Sequence, residues 1–491
     1  MPMPHSRDQH SAKHTNDKRR RTGYAGELHA RRRPNSAPSL VTPARLFAYR
    51  LTETVQNENI SVHEASRRML GKAKLSPEDK SFALLLATGV ASTYGTLNQA
   101  IDQVLDKPSD CEAKVRNALC VSAYEILYLR KAAHAAVDQG VELVRAVAPR
   151  ASKLANFVLR RIVDLRKSLP YLGEGTLEED ALITGFPAWI VKTLSQTRGN
   201  SWTHDFLAQT GEQTLAKSPA PIWFAFNENR LDASQALEKL VERGVLAAPE
   251  RPAVEGQPTA FRLKDRKSVS DALFSGLLKE GGLVVSDYSA QTIVALSVPK
   301  NDLPKNYLEI GAGRGTKTIL LQNFAKHAFG KQMKLSSIEV NGHKAKILSD
   351  RCKRANASTK VLELDATDLS SLEDNFDAIL LDAPCSGSGT MRRHPEIKWR
   401  ITPVDIDKIA ELELALLKEA SKKLAPNGVL TYATCSVFKQ ENEDVVDAFL
   451  ASDEGKGFEV KPLAEGVSYF FTKPSVNGPD VHFAAQLQRI K

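Results

Sequence analysis

Two short stretches hold residue types able to do covalent chemistry. "LDAPCSGSG" (381–389) places Asp382, Pro384 and Cys385 just after an apolar run, and "YATCS" (432–436) places Cys435 after another. A thiolate is a nucleophile or a metal ligand, but cysteine is also a common buried residue, so each position has three readings when taken alone. The five cysteines, at 111, 120, 352, 385 and 435, form no CxxC pair and no Cys/His cluster. That argues against a zinc site and a disulfide framework, and no metal is expected. A working cysteine here acts as a thiol, in the reducing conditions of the cytoplasm.

A third stretch, "EIGAGRGTKT" (309–318), supplies Gly311, Ala312, Gly313, Arg314, Gly315, Thr316 and Lys317 between an apolar run and a helical pattern. Glycines there allow a tight turn and let backbone N–H groups approach a ligand. Nicotinamide enzymes use similar turns, so the loop alone leaves the cofactor open. Glu339 closes the next apolar run and can accept both hydroxyls of a ribose; Asp365 closes the one after, placed to meet an adenine amino group. Any one of these acids alone is what a solvated strand end looks like. Glu309, Glu339 and Asp365 in register suit S-adenosylmethionine better than a nicotinamide.

Two thiols and a carboxylate beside a methyl donor point to methylation of a pyrimidine at C5. That carbon is a poor nucleophile until a thiolate adds at C6 and converts the ring to an enamine. An acid must meet N3 as charge develops, and a general base must remove the C5 proton before the thiol leaves. The nucleobase has to be unstacked first, which favours single-stranded or flipped-out nucleotides.

The elements that must position these groups are legible as apolar runs at 307–311, 335–340, 360–364, 376–382 and 428–434, separated by helical stretches such as 317–329 and 405–425. Alternating strands and helices imply a parallel sheet covered on both faces, with ligands at the carboxyl ends of the strands. The strands ending in Asp382 and Thr434 should be neighbours, so that Cys385 and Cys435 face one crevice. Upstream, 42–170 is helical throughout, with five to seven helices expected and starts marked by Thr42-Pro43, Ser61 with Glu64, and Ser76-Pro77. Its basic positions Arg116, Arg145, Arg150, Arg160 and Arg161 read first as a solvated face. Between them, 171–300 mixes short apolar runs with helices, and the Pro-rich 248–258 reads as a loop.

The stretches "LDAPCSGSGTMRRHPEIKW" (381–399) and "YATCSVFKQENEDVVDAFL" (432–450) resemble motifs of the RNA cytosine-C5 methyltransferases, the Sun/Fmu family. The helical region, with "LLLATGV" (84–90), "AYEILYL" (123–129) and "HAAVDQGVELV" (134–144), is similar to the NusB-like RNA-binding domain of its RsmB-like bacterial branch, which acts on 16S ribosomal RNA. The resemblance covers nearly everything after residue 40. It implies that Cys435 is the nucleophile, that Cys385 assists product release, and that Asp382 is the acid near the nucleobase and the cofactor. It also implies that Lys317 closes the cofactor loop, with Glu339 and Asp365 on the ribose and adenine. The loop departs from the family pattern, with Gly311 in place of a cysteine and Arg314 in place of a proline. For Arg392, Arg393, His394 and Lys398, the expectation is RNA contact around the pocket mouth or a solvated loop.

The expected organisation is a disordered basic tail (1–40), a NusB-like helical RNA-binding domain (41–170), a small α+β linker or RNA-binding region (171–295) and a Rossmann-like S-adenosylmethionine-dependent methyltransferase domain (296–491). Net charge is +9, and residues 1–39 hold nine Lys/Arg against three Asp/Glu, so six of those charges lie in the tail. Such a tail suits a polyanion such as RNA, or serves only to solubilise. No run reaches the ~18 apolar residues of a membrane span, and no secretory signal is visible, so a cytoplasmic protein is expected; the resemblance implies small-subunit ribosomal RNA as the partner, and a monomer is expected. Two other readings are a non-catalytic RNA-binding factor on a methyltransferase fold and a transfer-RNA methyltransferase of the same family.

Overall fold

The computed structural model describes residues 41–212, 220–265, 267–372, 375–463 and 466–490. The basic tail lies outside them. Six α-helices fill the first region: α1 (Pro43–Glu58), α2 (Val62–Met69), α3 (Pro77–Asp102), α4 (Ala113–Leu127), α5 (Ala133–Val147) and α6 (Ser152–Ser168). The side chains of Ser61 and Ser76 accept from the backbone N–H groups of Glu64 and Asp79, satisfying donors the helix starts would leave orphaned. Helix α4 is buried from Asn117 to Leu127 and forms the centre of this core.

Helix α3 kinks at Thr93 (φ −124°, ψ 16°), whose hydroxyl donates back to Gly89 O at 2.8 Å. The bend leaves Ser92 free to receive another part of the chain, as shown below. Three short helices follow: α7 (Leu177–Thr184), α8 (Ala188–Arg198) and α9 (Asn200–Thr210). Phe186, Ile190, Leu194 and Phe206 from this segment share a core with Met391, Val437 and Phe438. These helices therefore brace the loops that follow Cys385 and Cys435.

The small sheet holds β1 (Trp223–Phe226), β2 (Leu246–Glu250), β3 (Ala260–Leu263) and β4 (Leu283–Val285), with α10 (Ala233–Glu242) and α11 (Ala272–Glu280) against it. Its order is β2-β3-β1-β4, antiparallel throughout. The stretch 248–258, expected to be a loop, begins inside β2. Pro249 is tolerated because β2 is an edge strand and its register shifts there. Helix α12 (Tyr288–Ser297) leads into the second sheet.

That sheet contains β5 (Tyr307–Ile310), α13 (Thr316–Phe329), β6 (Leu335–Ile338), α14 (Gly342–Arg354), β7 (Lys360–Leu362) and β8 (Phe376–Asp382). Then come α15 (Ile397–Arg400), α16 (Pro403–Lys422), β9 (Leu424–Thr434), α17 (Glu443–Ala451), β10 (Phe458–Val460), β11 (Tyr469–Phe471) and β12 (Phe483–Arg489). The order β10-β12-β9-β8-β5-β6-β7 is parallel from β9 to β7 and antiparallel at β12. Chain order reverses between β5 and β8, so a crevice opens at their carboxyl ends. As expected, β8 and β9 are neighbours, with Asp382 opposite Ala433.

Candidate active site

The loop after β5 turns through three glycines in left-handed backbone, Gly311 (φ 81°), Gly313 (φ 59°) and Gly315 (φ 81°). Gly311 is required twice over, because a Cβ there would stand 2.2 Å from the carbonyl oxygen of Asp382. Gly311 and Ala312 donate their N–H groups to Ile338 O, fixing the turn on β6. A side chain at Gly313 would meet only Gly311 O at 3.9 Å, so that face of the loop is open to a ligand.

Glu339 closes over the loop. Its carboxylate accepts from Gly313 N at 2.8 Å and from Asn341 N at 2.9 Å. A carboxylate has about four lone-pair sites, so two amides leave room for two hydroxyls. Asp365 is exposed three residues past β7, where one oxygen holds the turn through Thr367 N and Oγ1 and the other carries no bond among the described residues. Arg314 is exposed, and its carbonyl and the Thr316 hydroxyl both accept from Arg351.

Glu309 lies beneath the loop, fully buried. One carboxylate oxygen accepts from Thr318 Oγ1 at 2.6 Å and Ser337 Oγ at 2.8 Å, while the other has no partner among the described residues. Burial outweighs these two bonds and pushes its carboxyl up to about 7.

Lys317, in the first turn of α13, reaches across to Asp382 at the end of β8, Nζ to Oδ2 at 2.7 Å. Burial alone would lower the ammonium, but the Asp382 carboxylate and the nearby Cys435 sulfur hold it above its ordinary value. Three residues past Asp382, Cys385 Sγ lies 3.1 Å from Cys435 Sγ and accepts from Cys435 N at 3.2 Å. Both thiols are half-buried. The contact with Cys435, then burial, pushes the Cys385 thiol well above its usual range. The two sulfurs are within hydrogen-bonding distance, and either can be the donor. One ion pair and two sulfurs thus gather at the ends of adjacent strands.

A buried polar frame that sequence reasoning did not single out holds the two cysteine loops together. Glu441 accepts from Ser386 N (2.6 Å), Ser386 Oγ (2.7 Å) and Ser436 Oγ (2.5 Å). Ser388 Oγ bonds Ser436 Oγ at 3.0 Å, and Asn442 bridges Thr434 Oγ1 and Ser436 O. Glu441 sits in the polar stretch Lys439 to Asp444, which reads as solvated in the sequence. His482, also missed, is buried near the Lys317–Asp382 pair, with its Nδ1 3.3 Å from Asp480 O. Burial, aided by Lys317, takes it down to about 4, so it is neutral.

The basic residues after Cys385 do not form the expected pocket rim. Arg393 is turned inward, donating to Asp480 at 2.5 Å and to Asp287 at 3.0 Å, which pins this loop to the segments before β12 and α12. Arg392 is buried and reaches Gly478 O. Lys398 is fully buried, with Nζ on Ser92 Oγ at 3.0 Å and above the Phe186 ring, while Trp399 Nε1 donates to Ser92 O at 2.9 Å. The kink in α3 is thus the socket for α15. Of the four, His394 alone is exposed. Among the helical-domain arginines, Arg116 is likewise internal, on Asp102 and Pro108 O, whereas Arg150, Arg160 and Arg161 are exposed.

Among the described residues no group of three or more His, Cys, Asp or Glu could hold a metal, and no helix is long and apolar enough to cross a membrane. Residues 294–488 match the family model described as 16S rRNA methyltransferase RsmB/F, and residues 42–164 match that of the NusB family. The chain is 30% identical to ribosomal RNA small subunit methyltransferase B of Salmonella newport (strain SL254), over 77% of this chain and 83% of that protein. It is 30% identical to the protein of the same name from Pasteurella multocida (strain Pm70), over 82% and 86%. The crystal structure of PH0851 superposes with a TM-score of 0.69 at 22% identity, covering 92% of this chain and all of that one, which shows a shared fold. With the glycine loop, the paired thiols and the helical module in one chain, this protein belongs to the RsmB/F family of 16S rRNA methyltransferases.

Proposed function

We propose that the protein methylates a cytosine of small-subunit ribosomal RNA at C5, with Cys435 bonding covalently to C6 during the reaction. The observation that carries this reading is the pair of sulfurs 3.1 Å apart beside the Lys317–Asp382 ion pair. Methylation at nitrogen would need neither sulfur.

S-adenosylmethionine is the methyl donor that suits the site, and when bound it supplies an electrophilic methyl group to C5. The loop from Gly311 to Lys317 would cradle it, with Glu339 on the ribose hydroxyls and Asp365 at the adenine. The left-handed glycines, the open face at Gly313 and the spare lone pairs of Glu339 fit such a ligand.

Cys435 attacks C6 as a thiolate, and negative charge develops toward N3 of the ring. Asp382 faces that edge. Its ion pair with Lys317 is neutral overall and carries a transferable proton, so it can meet the charge without leaving an unpaired one. Once C5 carries the methyl group, its proton is lost to the site's general base, the C–H electron pair re-forms the C5=C6 bond, the Cys435–C6 bond breaks and the sulfur leaves. Cys385, its thiol pushed up and touching Cys435 Sγ, is placed to hand a proton to the departing sulfur. The Glu441 frame holds both thiols in this relation at no cost in reorganisation.

The helical module supports RNA binding, and the cytoplasm is where small-subunit RNA is met. The test is transfer of labelled methyl groups to small-subunit RNA, followed by digestion to nucleosides. Label in 5-methylcytidine supports the proposal; label in an N-methylated nucleoside, or binding without transfer, overturns it.

A further inference from the structure

A basic cleft lies behind the cofactor loop, where the small sheet domain meets α14. A cavity of about 210 Å³ opens there, lined by Lys279, Arg351 and Arg354 over an apolar floor that includes Val284 and Ile319. Its wall is rigid. Gly281 ends α11 in left-handed backbone (φ 79°) and lies so close to α14 that a Cβ would stand 2.8 Å from Arg354 O.

Several partly buried arginines pair with carboxylates, Arg45 with Glu125, Arg116 with Asp102, Arg198 with Glu443 and Arg393 with Asp287 and Asp480, while others, such as Arg166, donate to backbone carbonyls. Arg351 belongs to the second group. Its guanidinium donates to Arg314 O at 2.9 Å and to Thr316 Oγ1 at 3.1 Å, both neutral acceptors on the cofactor loop. None of Lys279, Arg314, Arg351 and Arg354 forms an ion pair with a described carboxylate. Burial, and then the charges of Arg354 and Arg314, draw Arg351 below its ordinary value. Like charges gathered in a cleft without a counter-charge repel one another unless an anion enters. A tetrahedral oxyanion matches the guanidinium fork and the lysine point charge.

We propose that this cleft holds one backbone phosphate of the RNA, and that Arg351 connects its occupancy to Arg314 and Thr316 of the cofactor loop. The assignment to RNA, rather than to a free anion, rests on the substrate reading above. The site is one side chain away from the loop that positions the methyl donor. Seating RNA there would fix the loop and the substrate strand together.

The test uses the full-length protein carrying Lys279→Ala and Arg354→Ala, two residues that make no bond to the cofactor loop. RNA affinity is measured at several salt concentrations, and cofactor affinity separately. Losing one phosphate contact should make log K against log salt shallower by about 0.7 to 0.9, weaken RNA binding severalfold at low salt, and leave cofactor affinity within twofold. An unchanged slope overturns the proposal. So does an inorganic phosphate effect on the melting temperature that the double variant abolishes while its RNA slope matches wild type, since the cleft would then take free anions only. Binding is read without turnover, so the result is independent of whether the RNA is methylated.

Discussion

Replacing Glu309 with glutamine should stabilise the protein above neutral pH and do little near pH 5. The carboxyl is fully buried, with one oxygen bonded to two hydroxyls and the other unpartnered among the described residues, and it titrates at about 7 instead of 4.5. Between those values the unfolded chain has given up its proton while the folded chain keeps it, so stability falls as pH rises through this window. Moving a titration that far costs the ionised form on the order of 3 kcal/mol, fully expressed above pH 7. Glutamine keeps a carbonyl acceptor for Thr318 and Ser337 and never ionises, although its amide then meets the unpartnered side, which costs about 1–2 kcal/mol. The net gain at pH 8 is therefore about 1–2 kcal/mol. For a domain of this size that is a rise in melting temperature of roughly 2–8 °C. Thermal melting of both proteins at pH 5 and pH 8 is the assay. Equal differences at the two pH values, or a less stable variant at pH 8, would refute the assignment of a buried, destabilised carboxylate.

Three further substitutions probe the site's supports. Gly311→Ala forces a side chain into left-handed backbone 2.2 Å from Asp382 O, and strain of about 1–3 kcal/mol should weaken cofactor binding by roughly ten- to a hundredfold in titration calorimetry. Glu441→Gln cannot accept all three donors from Ser386 and Ser436; kcat should fall roughly tenfold or more while the cofactor dissociation constant holds, as seen in single-turnover kinetics. Arg393→Ala leaves Asp287 and Asp480 buried without their partner, and chemical denaturation should show a loss of about 3–5 kcal/mol, part of it restored by Arg393→Lys.

The parts of this molecule legible in the sequence are those governed by local pattern. Phe376 to Asp382 reads as a strand because a mostly apolar run with no glycine or proline can do little else, and β8 has those limits. Cys385 and Cys435 could be brought together on paper because each follows a strand end and those strands had to be neighbours. Strands β10 and β11, of three residues each, escaped notice, and so did β12, whose Gln486, Gln488 and Arg489 break its apolar run. The fate of the basic run after Cys385 was hidden for another reason. Sequence shows Arg393 as a charge but not the carboxylates that receive it, 87 and 106 positions away. Lys398 likewise looks solvated until the kink in α3, a backbone deviation with no sequence marker, provides its socket. The Glu441 frame was similarly out of reach, since its serines are polar residues whose burial depends on α7–α9 covering them.

The measurement that bears most directly on the central claim is the behaviour of the two thiols in turnover. Wild type, Cys435→Ala and Cys385→Ala are each incubated with small-subunit RNA and labelled S-adenosylmethionine, then resolved on denaturing gels. The account predicts transfer by wild type, neither transfer nor adduct from Cys435→Ala, and a protein–RNA adduct that accumulates with Cys385→Ala. Full activity in Cys435→Ala, or an adduct that forms without Cys435, would contradict it.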